Sequence, residues 1–177
     1  MPRAMPIPGL AGIEHVGLIV PDLELATSFL QDVLGGETLY DIGPLPDPDD
    51  WMAAHLVRPF GGRIHRLRVV QVANGPVLEL FELAQGRDGA HAGTDEAQAA
   101  VHIAFYVENM DVALARLKEH RCPIESGPVE MTEGPSAGLT WLYFRSPWGL
   151  PMELVSYPDG IEAYKARKRE IWRPRAP

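Results

Sequence analysis

The sequence predicts an α+β protein built from two similar modules, each a strand, a helix and about three further strands. Three observations carry this. A strand–turn–helix segment occurs twice. A short apolar strand with a glutamate at its centre also occurs twice. Further short apolar runs, residues 66–73 and 139–144, lie between these landmarks.

The first repeat pairs IEHVGLIVPDLELATSFL, beginning at Ile13, with VHIAFYVENMDVALARL, beginning at Val101. A shift of 87 places His15 on His102, Val16 on Ile103, Val20 on Val107, Leu23 on Met110, Ala26 on Ala113 and Leu30 on Leu117. Asp22 and Asn109 are suited to cap the two helices, because their side-chain oxygens accept hydrogen bonds from free N–H groups of the first turn. Leu23, Ala26, Phe29, Leu30, Val33 and Leu34 then recur at helical spacing. Gly35 and Gly36 end the first helix.

The second repeat pairs GPVLELFEL, residues 75–83, with GLPMELVSY, residues 149–157. A shift of 74 places Glu79 on Glu153 and Leu80 on Leu154. Both runs are bounded by Gly and Pro and read as strands. His15 and Glu79 are 64 positions apart, but His102 and Glu153 only 51, so the first module is 13 longer between its motifs. The surplus falls in a long loop, residues 41–65, that holds Trp51, Met52, His55, Arg58, Phe60 and Arg63. Such a loop serves either as a binding lid or as a plain surface excursion. The expected organisation is an extension at 1–12, modules at 13–90 and 98–157, and a helical tail at 158–177. The run KARKR, residues 165–169, forms a solvated face of that tail.

Composition narrows the function. The chain has 177 residues, 46% apolar and 23% charged, which is ordinary for a globular protein. A net charge of −8 argues against nucleic acid as a partner. No apolar stretch approaches the roughly 20 residues of a membrane helix, and the start lacks the apolar core of a signal peptide. A cytoplasmic protein with no membrane partner is expected. One cysteine, Cys122, allows no intrachain disulfide and reads as a small apolar filler.

Strand parity selects the chemistry. Val16, Leu18 and Val20 share one face of the first strand and should pack on the helices, which puts His15 on the other face with Gly17 and Ile19. In the later strand Val101, Ile103, Phe105 and Val107 form the packing face, and His102 points away with Ala104 and Tyr106. Glu79 shares a face with Val77 and Phe81, whereas Leu78, Leu80 and Glu82 lie on the opposite face. Glu153 shares a face with Pro151 and Val155, opposite Met152 and Leu154. A carboxylate inside an apolar strand requires a cation or donor partner. A lone histidine or glutamate in a strand is usually an ordinary polar residue. Here each type occurs twice at equivalent places, so His15, Glu79, His102 and Glu153 together read as ligands of one divalent ion: Zn, Ni, Co, Mn or Fe. His55, His65, His91 and His120 have no repeat partner and stay outside the set.

These residues resemble the vicinal oxygen chelate superfamily, which includes glyoxalase I, methylmalonyl-CoA epimerase, extradiol dioxygenases and bleomycin-resistance proteins. The resemblance rests on HVGLIVPDLELATSFLQDVLG, LELFEL, VHIAFYVENMDVALARL and FRSPWGLPMELVSYP, in that order, and covers about residues 13–157. It implies a glyoxalase-like fold, two βαβββ modules forming a cupped, incomplete barrel around the metal. It also implies ligands at the four positions above and a homodimer, because the family commonly pairs modules across one. The His-Glu-His-Glu set looks most like glyoxalase I and its isomerase relatives; the methylmalonyl-CoA epimerases usually carry Gln where this chain has Glu79.

The expected activity is that of a metal-dependent lyase or isomerase/epimerase acting on a small oxygenated substrate. The ion would stabilise an enediolate as a carbon-bound proton leaves, with Glu153 or Glu79 as the base. Tyr106, on the ligand face, and Arg63, with Arg58 and Arg66 near the loop, are candidates for contacting the substrate. Two alternatives remain: an Fe(II)-dependent ring-cleaving dioxygenase, and a protein that sequesters a drug or metabolite.

Overall fold

The structure is a computed structural model that describes residues 12–44, 64–84 and 102–165. The elements are β1 (His15–Val20), α1 (Leu23–Leu34), β2 (Glu37–Ile42), β3 (Ile64–Gln71), β4 (Val77–Leu83), β5 (Ile103–Tyr106), α2 (Met110–Glu119), β6 (Ile124–Glu130), β7 (Thr140–Arg145), β8 (Pro151–Ser156) and a short α3 (Glu162–Lys165). They form two open four-stranded sheets with the same topology, β1-β4-β3-β2 and β5-β8-β7-β6. In each sheet the first and last strands of the module pair in parallel and the remaining pairs are antiparallel. This is the expected α+β arrangement of two βαβββ modules.

The duplicated helix signals act as read. The Asp22 side chain accepts a hydrogen bond from the Leu25 N–H at 2.9 Å, and Asn109 accepts one from the Val112 N–H at 3.0 Å. Helix α1 stops at Gly35, whose φ of 68° lies in the left-handed region, and the Gly36 N–H closes the turn onto the Leu30 carbonyl at 2.8 Å. A side chain at Gly36 would meet Val70 Cγ1 at 3.0 Å, so the close approach of helix and sheet also excludes one there.

One apolar core joins the modules. It takes Leu18 and Val20 from β1, Leu78 and Leu80 from β4, Leu142 and Phe144 from β7, and Met152 and Leu154 from β8, with Leu23, Phe29 and Leu30 of α1 and Met110 and Leu117 of α2. Trp148, between β7 and β8, packs edge-on against Phe29 with ring centroids 5.6 Å apart. Cys122 packs against the same core, and burial pushes its thiol up from its ordinary value, so it behaves as filler.

Several boundaries differ from expectation. Strands β2 and β3 extend into both ends of the 41–65 loop; residues 45–63, with Arg58 and Arg63, lie outside the described residues, as does the run at 166–169. Strands β2 and β6 are edge strands with mostly exposed residues, so no apolar alternation marks them. A Gly-Pro pair marks both instead: Gly43-Pro44 and Gly127-Pro128. A side chain at Gly127 would meet the Trp141 carbonyl at 2.7 Å, and one at Gly43 the His65 carbonyl at 2.9 Å. The duplication therefore extends to the sheet edges.

Candidate metal centre

The histidine and glutamate of each module meet across the same diagonal. In the first sheet Gly17 stands opposite Glu79, so His15 lies two residues earlier on the same face. In the second sheet Ala104 stands opposite Glu153, and His102 lies two residues earlier. His15 Nε2 is 3.6 Å from Glu79 Oε2, and His102 Nε2 is 3.0 Å from Glu153 Oε2. The residue opposite each glutamate is small, Gly17 and Ala104, and at Gly17 even a Cβ would meet Phe81 Cε2 at 3.2 Å.

The donor set passes a simple test for a divalent ion. Two N or O ligands about 2.0–2.2 Å from one ion stand about 3.0–3.5 Å apart, and both pairs fall close to that separation. Nδ1 of His15 meets the Glu14 carboxylate, which leaves Nε2 directed at Glu79. A carboxylate on the far ring nitrogen is the usual device for fixing a metal-binding imidazole. This hydrogen bond, with the charges of Glu79 and Glu14, holds the His15 imidazole above its ordinary value.

The four residues do not converge within one chain. Among the described residues no group of three or more His, Cys, Asp or Glu side chains could hold an ion. The reason lies in the core: the packing faces of both sheets are joined in it, so the two His–Glu faces point away from it. Each module supplies half of the set.

Glu82, which parity set apart from Glu79, has a structural role. Its carboxylate accepts hydrogen bonds from the Leu23 N–H at 2.8 Å and from Arg66 Nε at 3.1 Å, tying the start of α1 to the sheet. Arg66 also binds Glu24, so it is committed to ion pairs rather than offered to a substrate. Arg68 holds Glu24 and Asp41 in the same network. Tyr106 packs on Tyr157 with centroids 4.9 Å apart and borders a largely apolar cavity of about 350 Å³ between the modules, with Val16, Leu78 and Phe105.

Tyr143 was not among the residues singled out from sequence. It stands opposite Glu153 in the β7–β8 ladder, with its hydroxyl 3.5 Å from His102 Nε2 and its ring edge-to-face with the imidazole at 5.2 Å. Burial and the Glu153 charge push its phenol up from its ordinary value. The parity rule applied to β7 finds it: Leu142 and Phe144 face the core, so Trp141 and Tyr143 lie on the face that holds His102 and Glu153.

Comparison with known proteins agrees with this fold. The model of the Glyoxalase/Bleomycin resistance protein/Dioxygenase superfamily matches residues 12–154. The chain belongs to this superfamily. Within it, the chain is 32% identical over 172 residues to a 2-epi-5-epi-valiolone epimerase of Actinomyces sp., covering 95% of this chain and 91% of that protein. It is 33% identical over 130 residues to the mitochondrial methylmalonyl-CoA epimerase of Bos taurus, covering 71% of this chain and 63% of the relative. The crystal structure of a glyoxylase/bleomycin resistance protein/dioxygenase domain from Frankia sp. EAN1pec superposes with a TM-score of 0.60 at 22% identity, over 84% of this chain and 99% of that one. The superfamily fold is thus shared, and the relatives similar in sequence include epimerases.

Proposed function

We propose that this superfamily member is a divalent-metal-dependent epimerase acting on a carbon next to a carbonyl in a small oxygenated substrate, and that it works as a homodimer. The observation that carries the proposal is the duplicated His–Glu diagonal, present at the same register in both sheets. Because the two pairs face away from one core, one ion takes all four ligands only across two chains: His15 and Glu79 from one protomer, His102 and Glu153 from its partner.

When bound, the ion supplies a Lewis acid that draws charge from a substrate oxygen and acidifies the neighbouring C–H. Epimerisation then needs a proton removed from one face of that carbon and returned to the other. Two carboxylates from opposite halves of the site suit this task. Glu153, at 13% side-chain exposure the more enclosed of the two, takes the proton on the carboxylate oxygen turned away from His102; Glu79 delivers one from the opposite half. Their roles exchange for the other epimer.

The relatives named as epimerases support this over ring cleavage or simple sequestration. The first of them, matched over almost its whole length, makes 2-epi-5-epi-valiolone the first substrate to try. The test is proton NMR in D₂O with metal-loaded protein. Deuterium incorporation at the epimerised carbon, abolished by a chelator and restored by Zn, Mn, Co or Ni, is the expected result. No exchange with any metal, on this or other hydroxy ketones, would contradict the proposal.

A further inference from the structure

The duplication preserves the metal donors but not the side chains beside them. Opposite Glu79 stands Val69, and two residues earlier on the strand Leu67 stands opposite Phe81. The equivalent places in the second module hold Tyr143, opposite Glu153, and Trp141, opposite Val155. Val69 is buried, at 3% exposure, whereas Trp141 and Tyr143 are only half-buried on the ligand face. His102, Tyr143 and Trp141 form a continuous edge-to-face run, with centroids 5.2 and 5.4 Å apart.

We propose that Trp141 and Tyr143 form a specificity wall that favours ring-shaped hydroxy ketones, resting on the epimerase reading above. An aromatic face carries negative charge density and attracts the weakly positive C–H groups on the face of a saturated ring. Packing alone needs neither the indole nor the phenol, since Leu67 and Val69 fill the matching places in the first sheet. An edge-to-face contact covers at most one face of the Trp141 indole, so Tyr143 leaves it the other. The Tyr143 hydroxyl, beside His102, is placed to donate to a substrate oxygen. A site walled by aromatics with a few aimed polar atoms is the common form for small polar ligands. The wall belongs to the second module only, so the substrate lies against that half.

Two measurements on metal-loaded protein test the wall. The first is deuterium exchange of 2-hydroxycyclohexanone and of the open-chain acetoin. Wild type should prefer the ring at least about tenfold in kcat/KM. Trp141→Ala should remove this preference through KM for the ring ketone and leave acetoin within about twofold, and Trp141→Phe should restore most of it. An equal effect on both ketones, or none, would overturn the wall. The second is saturation-transfer NMR with myo-inositol, which needs no turnover. Transfer to the ring C–H protons should be several-fold stronger for wild type and Trp141→Phe than for Trp141→Ala. Equal transfer across the three, or none, would overturn the wall even if turnover is found. Absence of exchange in wild type counts against the epimerase reading alone, and myo-inositol then decides the wall. Circular dichroism confirms that each variant folds.

Discussion

His102 Nε2 lies 3.0 Å from Glu153 Oε2, and the same two-step diagonal in the first module sets His15 Nε2 3.6 Å from Glu79 Oε2. Neither pair arises from proximity in sequence. Each needs a parallel pairing between the first and last strands of its module, and the register is the same to the residue in both.

The carboxylates should differ from the other glutamates in what their loss does. Glu153→Gln and Glu79→Gln keep shape and hydrogen bonding but cannot take up a proton as a carboxylate does. Each is expected to lower kcat by about 10²–10⁴-fold with little change in folding. Exchange kinetics in D₂O check this.

Glu82 should behave in the opposite way. Removing its carboxylate leaves the Leu23 N–H and Arg66 without their shared partner inside the fold. Glu82→Ala should cost about 1–3 kcal/mol in urea unfolding and leave metal affinity unchanged. A variant that unfolds like wild type but loses metal would reverse the assignment of the two glutamates.

A small residue beside Glu79 is predicted to matter as much as Glu79 itself. Gly17 stands opposite Glu79 and already lies close to Phe81. Gly17→Leu should press on Phe81 and crowd Glu79, lowering kcat/KM by about 100-fold at a stability cost of about 1–3 kcal/mol. Comparing kinetics with thermal unfolding separates the two effects.

The acid limb of stability should depend on Glu24. Hydrogen bonding to Arg68, with further help from Arg66, holds its carboxyl below the ordinary value of 4.5. A depressed folded pKa means stability that is present above the unfolded value and lost as pH falls through the folded one. Glu24→Gln should therefore flatten the stability curve below about pH 4.5. The carboxylate is largely exposed, so the difference at neutral pH should stay within about 1 kcal/mol. Urea midpoints from pH 3 to 7 check it.

The extent to which the sequence was legible follows from what each residue touches. His15, Glu79, His102 and Glu153 stand out because they sit at repeated places in strands whose other face is apolar. Capped helices α1 and α2 were equally plain. Strands β2 and β6 were not, since an edge strand exposed on both sides carries no alternation; only Gly43-Pro44 and Gly127-Pro128 mark them. The ion pairs of Arg66 could not be read, because Glu82 and Glu24 lie 16 and 42 residues away and meet it only in the folded sheet. Tyr143 was legible in principle, from the alternation of Trp141, Leu142, Tyr143 and Phe144. That the two ligand pairs face away from a common core could not be read, because it depends on how the modules pack.

The central claim is that both pairs hold one ion, completed across two protomers. The most direct measurement is bound metal per chain, for wild type, His15→Ala, His102→Ala, and the two variants refolded together. The account predicts about one ion per wild-type chain and little in either variant alone. The refolded mixture should recover about a quarter of an ion per chain, because half the dimers then carry one intact site of two. Two ions per wild-type chain with one retained in each variant would contradict it, as would a mixture that recovers nothing.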